Sequence, residues 1–302
     1  MATYNRVLLL EHLYNSIVEQ DYSDVEMVIV NDGSTDATED FVMNWIDESK
    51  VQTQYFYQKN TGRGAALRKA LLNANGKYSI IMDDDDYFLD GAFNIIKNAI
   101  TDCENHKILH YGLAGICCLC LDENGDVVGD EFPVSKYISN FLSLRVLDDI
   151  SGDKKEIVRT SILKKYIFPH FENESRVVSS TLWYRISYDF DCLCLNYPIA
   201  IKRYIKGGMS DSLMCLKAES PNYQIEDCII TINYPRKFNL QLTILYSIIL
   251  WKYWFFGGKL SLSRIKFEKL PILFFCLPIG LIFYLKDLIL IQLIKSNGNY
   301  HR

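Results

Sequence analysis

Short apolar runs alternate with stretches of helical periodicity over residues 1–90. Val7–Gln20 has apolar residues at helical spacing, whereas Val25–Val30 and Val51–Tyr57 are runs of strand length. Helices are predicted again at Ala37–Trp45 and Ala65–Asn73, where capping residues or good helix formers stand. Strands and helices that alternate in this way are typical of a mostly parallel sheet flanked by helices, so the pattern predicts an α/β fold.

Four consecutive carboxylates, Asp83–Asp86, directly follow the apolar run Tyr78–Met82. This pattern indicates a buried strand whose carboxyl end opens onto a site, and Asp32 follows the strand Val25–Val30 in the same way. Adjacent carboxylates repel one another unless a cation lies among them, and Mg²⁺ and Mn²⁺ prefer oxygen ligands. The alternative is a solvated acidic turn. The abrupt end of the strand favours a divalent-metal site with Asp32 nearby.

Gly62-Arg63-Gly64 stands immediately before the helix Ala65–Asn73. Backbone amides at the start of a helix, together with a guanidinium group, suit a phosphate. Two glycines spaced in this way are weak evidence alone, because glycines mark turns everywhere.

The middle of the chain is less regular, with strands predicted at Ile108–Leu121 and Cys192–Ile201 and helices at Glu156–Tyr166 and Ser180–Ser187. Five of the nine cysteines fall in the two strands, which indicates buried thiols in a reducing compartment. A zinc site at Cys117-x-x-Cys120 is the alternative, but a second pair at finger spacing is missing.

The C-terminal quarter is strongly apolar. Leu240–Phe256 is interrupted by one lysine, and Leu270–Leu285 lacks charges but contains two prolines and ends at Lys286-Asp287. Because a membrane span takes about 20 apolar residues, these stretches favour docking on a membrane surface, with flanking lysines and arginines near anionic lipid. A helical pair packed on the domain or on a second subunit is the alternative.

The net charge of −5, without a basic block, argues against a nucleic-acid partner. The first residues lack the pattern of a signal peptide, which favours a cytoplasmic protein.

With these residues in place, the chain resembles the family 2 glycosyltransferases, inverting enzymes with the GT-A fold. Four blocks carry the resemblance, in the family's order and at its usual spacing: Thr3-Tyr4-Asn5-Arg6, Val28–Asp36, Asn60–Arg68 and Met82–Asp86. A looser likeness to the enzymes of bacterial surface polysaccharides continues through Phe168–Ser210 and Leu277–Asp287. The resemblance implies a GT-A domain over residues 1–235, with a truncated first strand, and a hydrophobic helical extension over residues 236–302.

The resemblance also implies the parts of the site. The donor nucleotide is expected to contact Thr3, Tyr4, Asp32, Arg63, Asp83 and Asp84. Asp85 and Asp83 are the expected ligands of Mg²⁺ or Mn²⁺. Relatives often carry a glutamate near the start of the helix predicted at Ser180, and this chain has none there. Glu174, followed by Glu172, is therefore the expected catalytic base.

The predicted function is metal-dependent transfer of a sugar from a nucleotide-sugar donor, expected to be a UDP-sugar, to a saccharide or lipid-linked acceptor. The expected location is the inner face of the cell membrane. A catalytically impaired protein that binds sugar nucleotides is the alternative. A nucleotidyltransferase fits less well, because a glycine-rich phosphate loop after the first strand is missing near Met1–Leu10.

Overall fold

The computed structural model describes residues 1–20, 24–48, 51–105, 112–169, 171, 174, 179–204, 213–235 and 239–296. The chain forms two compact units. The first unit contains Met1–Phe168 and Asp189–Arg203, and the second contains Pro169–Tyr188 and Tyr204–Arg302. The domain boundary that the sequence predicts at residue 235 stays a prediction.

The strands of the described residues all lie in the first unit: β1 (Ala2–Thr3), β2 (Glu26–Asn31), β3 (Gln52–Tyr57), β4 (Tyr78–Ile80), β5 (Tyr87–Phe88), β6 (Leu113–Leu121), β7 (Lys136–Ser139), β8 (Lys154–Arg159) and β9 (Asp191–Ile201). Its helices are α1 (Val7–Val18), α2 (Thr38–Glu48), α3 (Arg63–Asn73), α4 (Ala92–Asn105), α5 (Phe141–Val146) and α6 (Thr160–Lys165). The order of β1 to α4 follows the predicted alternation of strands and helices.

The strands form two sheets. β1, β2 and β3 are parallel neighbours, and the second sheet runs β4-β8-β6-β9-β5, with β7 beside β9. In the second sheet β6 and β9 are parallel, whereas β8 is antiparallel to both β4 and β6. β6 is apolar and buried along almost its whole length, as expected for a strand covered on both faces.

β1 is short and pairs with the end of β2, with Ala2 opposite Val30 and Thr3 opposite Asn31. The amino group of Met1 continues this ladder by donating a hydrogen bond to Val28 O at 2.8 Å. Residues of β2 and β4 line a cavity of about 530 Å³ beside this short strand.

The helix predicted at Glu156–Tyr166 is wrong in its first part. Lys154–Arg159 is strand β8, and the helix α6 begins at Thr160. Ile157 and Val158 are β-branched and almost fully buried between two antiparallel neighbours. Pairing on both edges therefore outweighs the helical spacing of the local sequence.

The second unit is helical, with α7 (Ser179–Ile186), α8 (Leu213–Ala218), α9 (Pro221–Asn233), α10 (Leu240–Phe255), α11 (Leu270–Phe275) and α12 (Leu277–Ser296). Its apolar core includes Ile229, Leu250, Trp251 and Leu273. All nine cysteines of the chain are buried free thiols, and the thiols of Cys192 and Cys194 lie 3.6 Å apart.

α12 is one continuous helix of 20 residues that runs through Lys286-Asp287, where the sequence predicts an interruption. Asp287 contacts Lys252 of α10 at 2.9 Å, which compensates its charge. Among the described residues, α12 alone is long and apolar enough to cross a membrane, and most of it is not buried. Length and composition therefore permit a span that the sequence pattern disfavours.

Candidate active site

Asp32 stands at the carboxyl end of β2 and is 3% exposed. Its carboxylate accepts hydrogen bonds from Gln58 Nε2 at 2.8 Å and from the backbone amides of Thr61 at 3.0 Å and Gly62 at 2.9 Å. Gly62 adopts φ of 96°, a conformation that favours glycine, directly before α3. Asp32 thereby fixes the loop that brings Arg63 to the strand ends.

The segment after β1 is tied to the segment after β2. The backbone N of Asn5 donates to Ser34 Oγ at 2.9 Å, and Asn5 Oδ1 accepts from the backbone N of Thr35 at 2.7 Å. Thr3 is buried, whereas Tyr4 is 45% exposed. The donor residues predicted on β1 and β2 therefore share one edge of the sheet.

The acidic cluster brings three candidate metal ligands together. Asp83, Asp85 and Asp86 each offer a carboxylate oxygen, and these oxygens lie within 4.8 Å of one another. An all-oxygen set fits Mg²⁺ or Mn²⁺. The side chains of Asp83 and Asp85 are 29% and 15% exposed, whereas that of Asp86 is completely buried. An ion from solvent therefore reaches the two ligands that the sequence predicts, although their assignment stays a prediction.

Basic side chains surround the cluster. Arg6 Nη1 contacts Asp84 Oδ1 at 2.9 Å and Asp85 Oδ2 at 2.8 Å, and Arg63 Nη2 contacts Asp83. Lys155 Nζ contacts Asp86 Oδ2 at 2.7 Å. Lys202 Nζ contacts both Asp83 Oδ2 at 3.0 Å and Asp86 Oδ2 at 3.2 Å. These contacts relieve the repulsion among the four acids. They also place cations directly beside the candidate metal ligands.

Burial and the neighbouring cations shift the pKa values of the carboxyl groups in opposite directions. Burial raises the pKa of Asp83, but Arg63 and Lys202 outweigh it and hold that pKa well below its usual value. Burial raises the pKa of Asp84 to about 6, and Arg6 offsets this only in part. Asp83 therefore stays ionised at neutral pH and keeps its affinity for a cation.

Arg6, Lys155 and Lys202 are not among the site residues that the sequence predicted. Lys202 directly follows β9, and β9 pairs with β5 next to the acidic cluster. Ligands of such sheets bind beyond the carboxyl ends of the strands, which is the reason that Asp32 was predicted. The same reasoning identifies Lys202 once the pairing of β9 with β5 is known. Lys155 carries no such signal, because β8 contains two lysines, a glutamate and an arginine among its six residues. Its partner Asp86 stands 69 residues earlier in the chain.

The predicted catalytic base lies in the second unit. Glu174 accepts hydrogen bonds from the backbone amides of Asn222 at 2.8 Å and Tyr223 at 3.2 Å, at the start of α9, and from Asn222 Nδ2 at 2.6 Å. Burial raises the pKa of Glu174 against the effect of these donors. Glu174 thus caps a helix, and its role as base stays a prediction. Glu172 lies outside the described residues.

Comparison with known proteins identifies relatives of the N-terminal part. Residues 1–105 match the model of the glycosyl transferase family 2. An uncharacterized glycosyltransferase of Haemophilus influenzae is 25% identical over 178 residues, which are 58% of this chain and 66% of that protein. The GalNAc(5)-diNAcBac-PP-undecaprenol beta-1,3-glucosyltransferase of Campylobacter jejuni is 26% identical over 48% of this chain and 49% of its own length. The chain thus matches less than two thirds of each relative.

Solved structures with the same fold cover nearly the whole chain. TarS 1–349 of S. aureus in complex with UDP-GlcNAc has a TM-score of 0.61 at 18% identity and covers 100% of this chain and 91% of its own. The mannosyltransferase PcManGT of Pyrobaculum calidifontis, in complex with GDP-Man and Mn²⁺, has a TM-score of 0.55 at 18% identity and covers 95% of this chain and 86% of its own. The predicted α/β fold of the GT-A type is confirmed.

Proposed function

Since residues 1–105 belong to glycosyltransferase family 2, we propose that this chain is a metal-dependent inverting glycosyltransferase that uses a nucleotide-diphosphate sugar, most simply a UDP-sugar. The observation that carries the proposal is the meeting of Asp32, Arg63 and Asp83–Asp86 at the strand ends of the first unit. A TarS structure contains UDP-GlcNAc, which supports the choice of donor.

The chemistry follows from the charge distribution. The leaving group is a nucleoside diphosphate, and a divalent ion held by Asp83 and Asp85 would neutralise the charge that develops on it. Arg6 and Arg63 already lie at these carboxylates and are placed to contact the phosphates. A base then removes the proton of the acceptor hydroxyl as its oxygen attacks the anomeric carbon from the opposite side.

Release of UDP from UDP-sugars by the full chain with added Mn²⁺ tests the enzymatic reading. Turnover that requires the metal supports the proposal. Metal-dependent UDP binding without turnover for any nucleotide sugar would instead identify a sugar-nucleotide-binding protein.

Glu174→Gln tests the proposed base. The glutamine oxygen can still accept the hydrogen bonds that Glu174 Oε1 accepts from Asn222, whereas the bond from the amide of Tyr223 to Oε2 at 3.2 Å is lost, so α9 keeps most of its cap. Transfer should fall by about 100-fold or more, the scale of lost general-base catalysis, while UDP affinity stays within about twofold. Near-normal transfer would move the base to another residue.

We also propose that the acceptor is a saccharide linked to a lipid, and that the second unit contacts the inner face of the membrane. The Campylobacter relative is named for an undecaprenol-linked substrate, and α12 is apolar and mostly exposed. Phe275 and Ile282 are 77% and 64% exposed. Exposing these apolar side chains to water is unfavourable in free energy, and contact with lipid removes that cost.

Flotation of the full chain with anionic vesicles tests this contact. Phe275→Ser combined with Ile282→Ser should lower the bound fraction several-fold, since each change removes about 2 kcal/mol of apolar burial. Leu72→Ser is the matched control, because Leu72 is an exposed apolar residue on α3 of the first unit. Equal loss in both proteins, or in neither, would contradict a specific role for these C-terminal helices.

A further inference from the structure

Lys202 occupies an unusual position among the cations of the site. Its backbone N donates to Leu121 O at 2.8 Å, which fixes it to the end of β6. Its side chain is 14% exposed, and its Nζ lies between Asp83 Oδ2 at 3.0 Å and Asp86 Oδ2 at 3.2 Å. Lys202 therefore joins an accessible candidate metal ligand to a fully buried acid.

Each of the two acids has another partner besides Lys202. Asp86 also accepts hydrogen bonds from Lys155 Nζ at 2.7 Å and from the backbone N of Arg203 at 3.3 Å. Asp83 also contacts Arg63. Both carboxylates therefore keep a cationic or amide partner when the Lys202 ammonium moves away.

A divalent ion that binds Asp83 meets the Lys202 ammonium at the same carboxylate. Two cations at one carboxylate repel each other, so the ion competes with the ammonium for Asp83. A diphosphate that arrives with the metal offers the displaced ammonium a new anion within reach of its flexible stem.

We propose that Lys202 is a diphosphate-binding residue that Asp83 and Asp86 hold beside the metal site until metal and nucleotide arrive. This inference rests on the proposed donor site. Lys202 then competes with the bare metal ion but binds the metal–nucleotide complex. Loss of Lys202 should therefore raise the affinity for the metal ion alone and lower the affinity for the nucleotide.

Lys202→Met in the full chain tests this opposition. Mn²⁺ alone should bind about threefold to tenfold more tightly, because its competitor is gone. UDP at saturating Mn²⁺ should bind about tenfold or more weakly, the scale of one lost charged hydrogen bond. Both affinities can be measured by calorimetry. Lys77→Met, which removes a lysine whose side chain is 69% exposed and which pairs with Glu104, should change neither.

Lys202→Arg guards against a folding defect, because it keeps a cation between the two acids and should retain more UDP affinity than Lys202→Met. Unchanged UDP affinity in Lys202→Met, or weaker binding of both ligands, would overturn the role of Lys202 while the donor site stands. A wild-type chain that binds neither Mn²⁺ nor UDP would overturn both.

Discussion

Asp85→Asn is expected to weaken Mn²⁺-dependent UDP binding by about tenfold to 100-fold, since one charged contact is worth about 1.5–3 kcal/mol. Asparagine keeps the shape of the side chain but loses the charge that attracts a divalent ion. Arg6 keeps its contact with Asp84 at 2.9 Å, so the fold of the site should persist. Calorimetry with UDP at fixed Mn²⁺ measures the effect.

Asp90→Asn is the matched control for this change. Asp90 is an exposed acid in the same segment, five residues after Asp85. It should bind UDP as the wild-type chain does. Asp85→Asn with wild-type affinity in Mn²⁺ would remove Asp85 from the metal site.

The largest expected loss of stability comes from Asp86→Ala. Asp86 is completely buried and pairs with Lys155, whose side chain is 6% exposed. Removing one partner of a buried ion pair leaves the other charge without compensation, which costs about 3–5 kcal/mol. The free energy of unfolding in urea should fall by that amount.

A second substitution separates this charge effect from a packing effect. Lys155→Met in the Asp86→Ala background removes the unpaired ammonium and should recover part of the lost stability, because an apolar pair often replaces a buried ion pair at little cost. If Asp86→Ala alone lowers the free energy of unfolding by less than about 1 kcal/mol, the pair contributes no more to stability than an exposed ion pair does.

Local pattern predicted the first third of the chain closely. Each predicted strand or helix between Val7 and Asn73 has a counterpart within a few residues in the structure. Here, strand length, helical spacing and caps all indicate the same element, so tertiary contacts have nothing to override. The same agreement places Asp32 and Asp83 at strand ends.

The elements and site residues that the sequence did not predict are determined by contacts with residues distant in the chain. The strand β8, which carries Lys155, forms because β4 and β6 pair with its two edges, whereas the local sequence predicted a helix from Glu156 onward. Lys202 meets Asp83 across 119 residues, and a single sequence carries no signal for that pairing. α12 continues through Asp287 because Lys252 of α10 contacts that acid.

Titration of UDP into the full chain, first with Mn²⁺ and then with a chelator, measures whether the nucleotide site depends on a metal ion. Binding in Mn²⁺ that weakens at least about tenfold in the chelator is the predicted result. Equal affinity under both conditions, or binding of neither UDP nor GDP in Mn²⁺, would contradict the account.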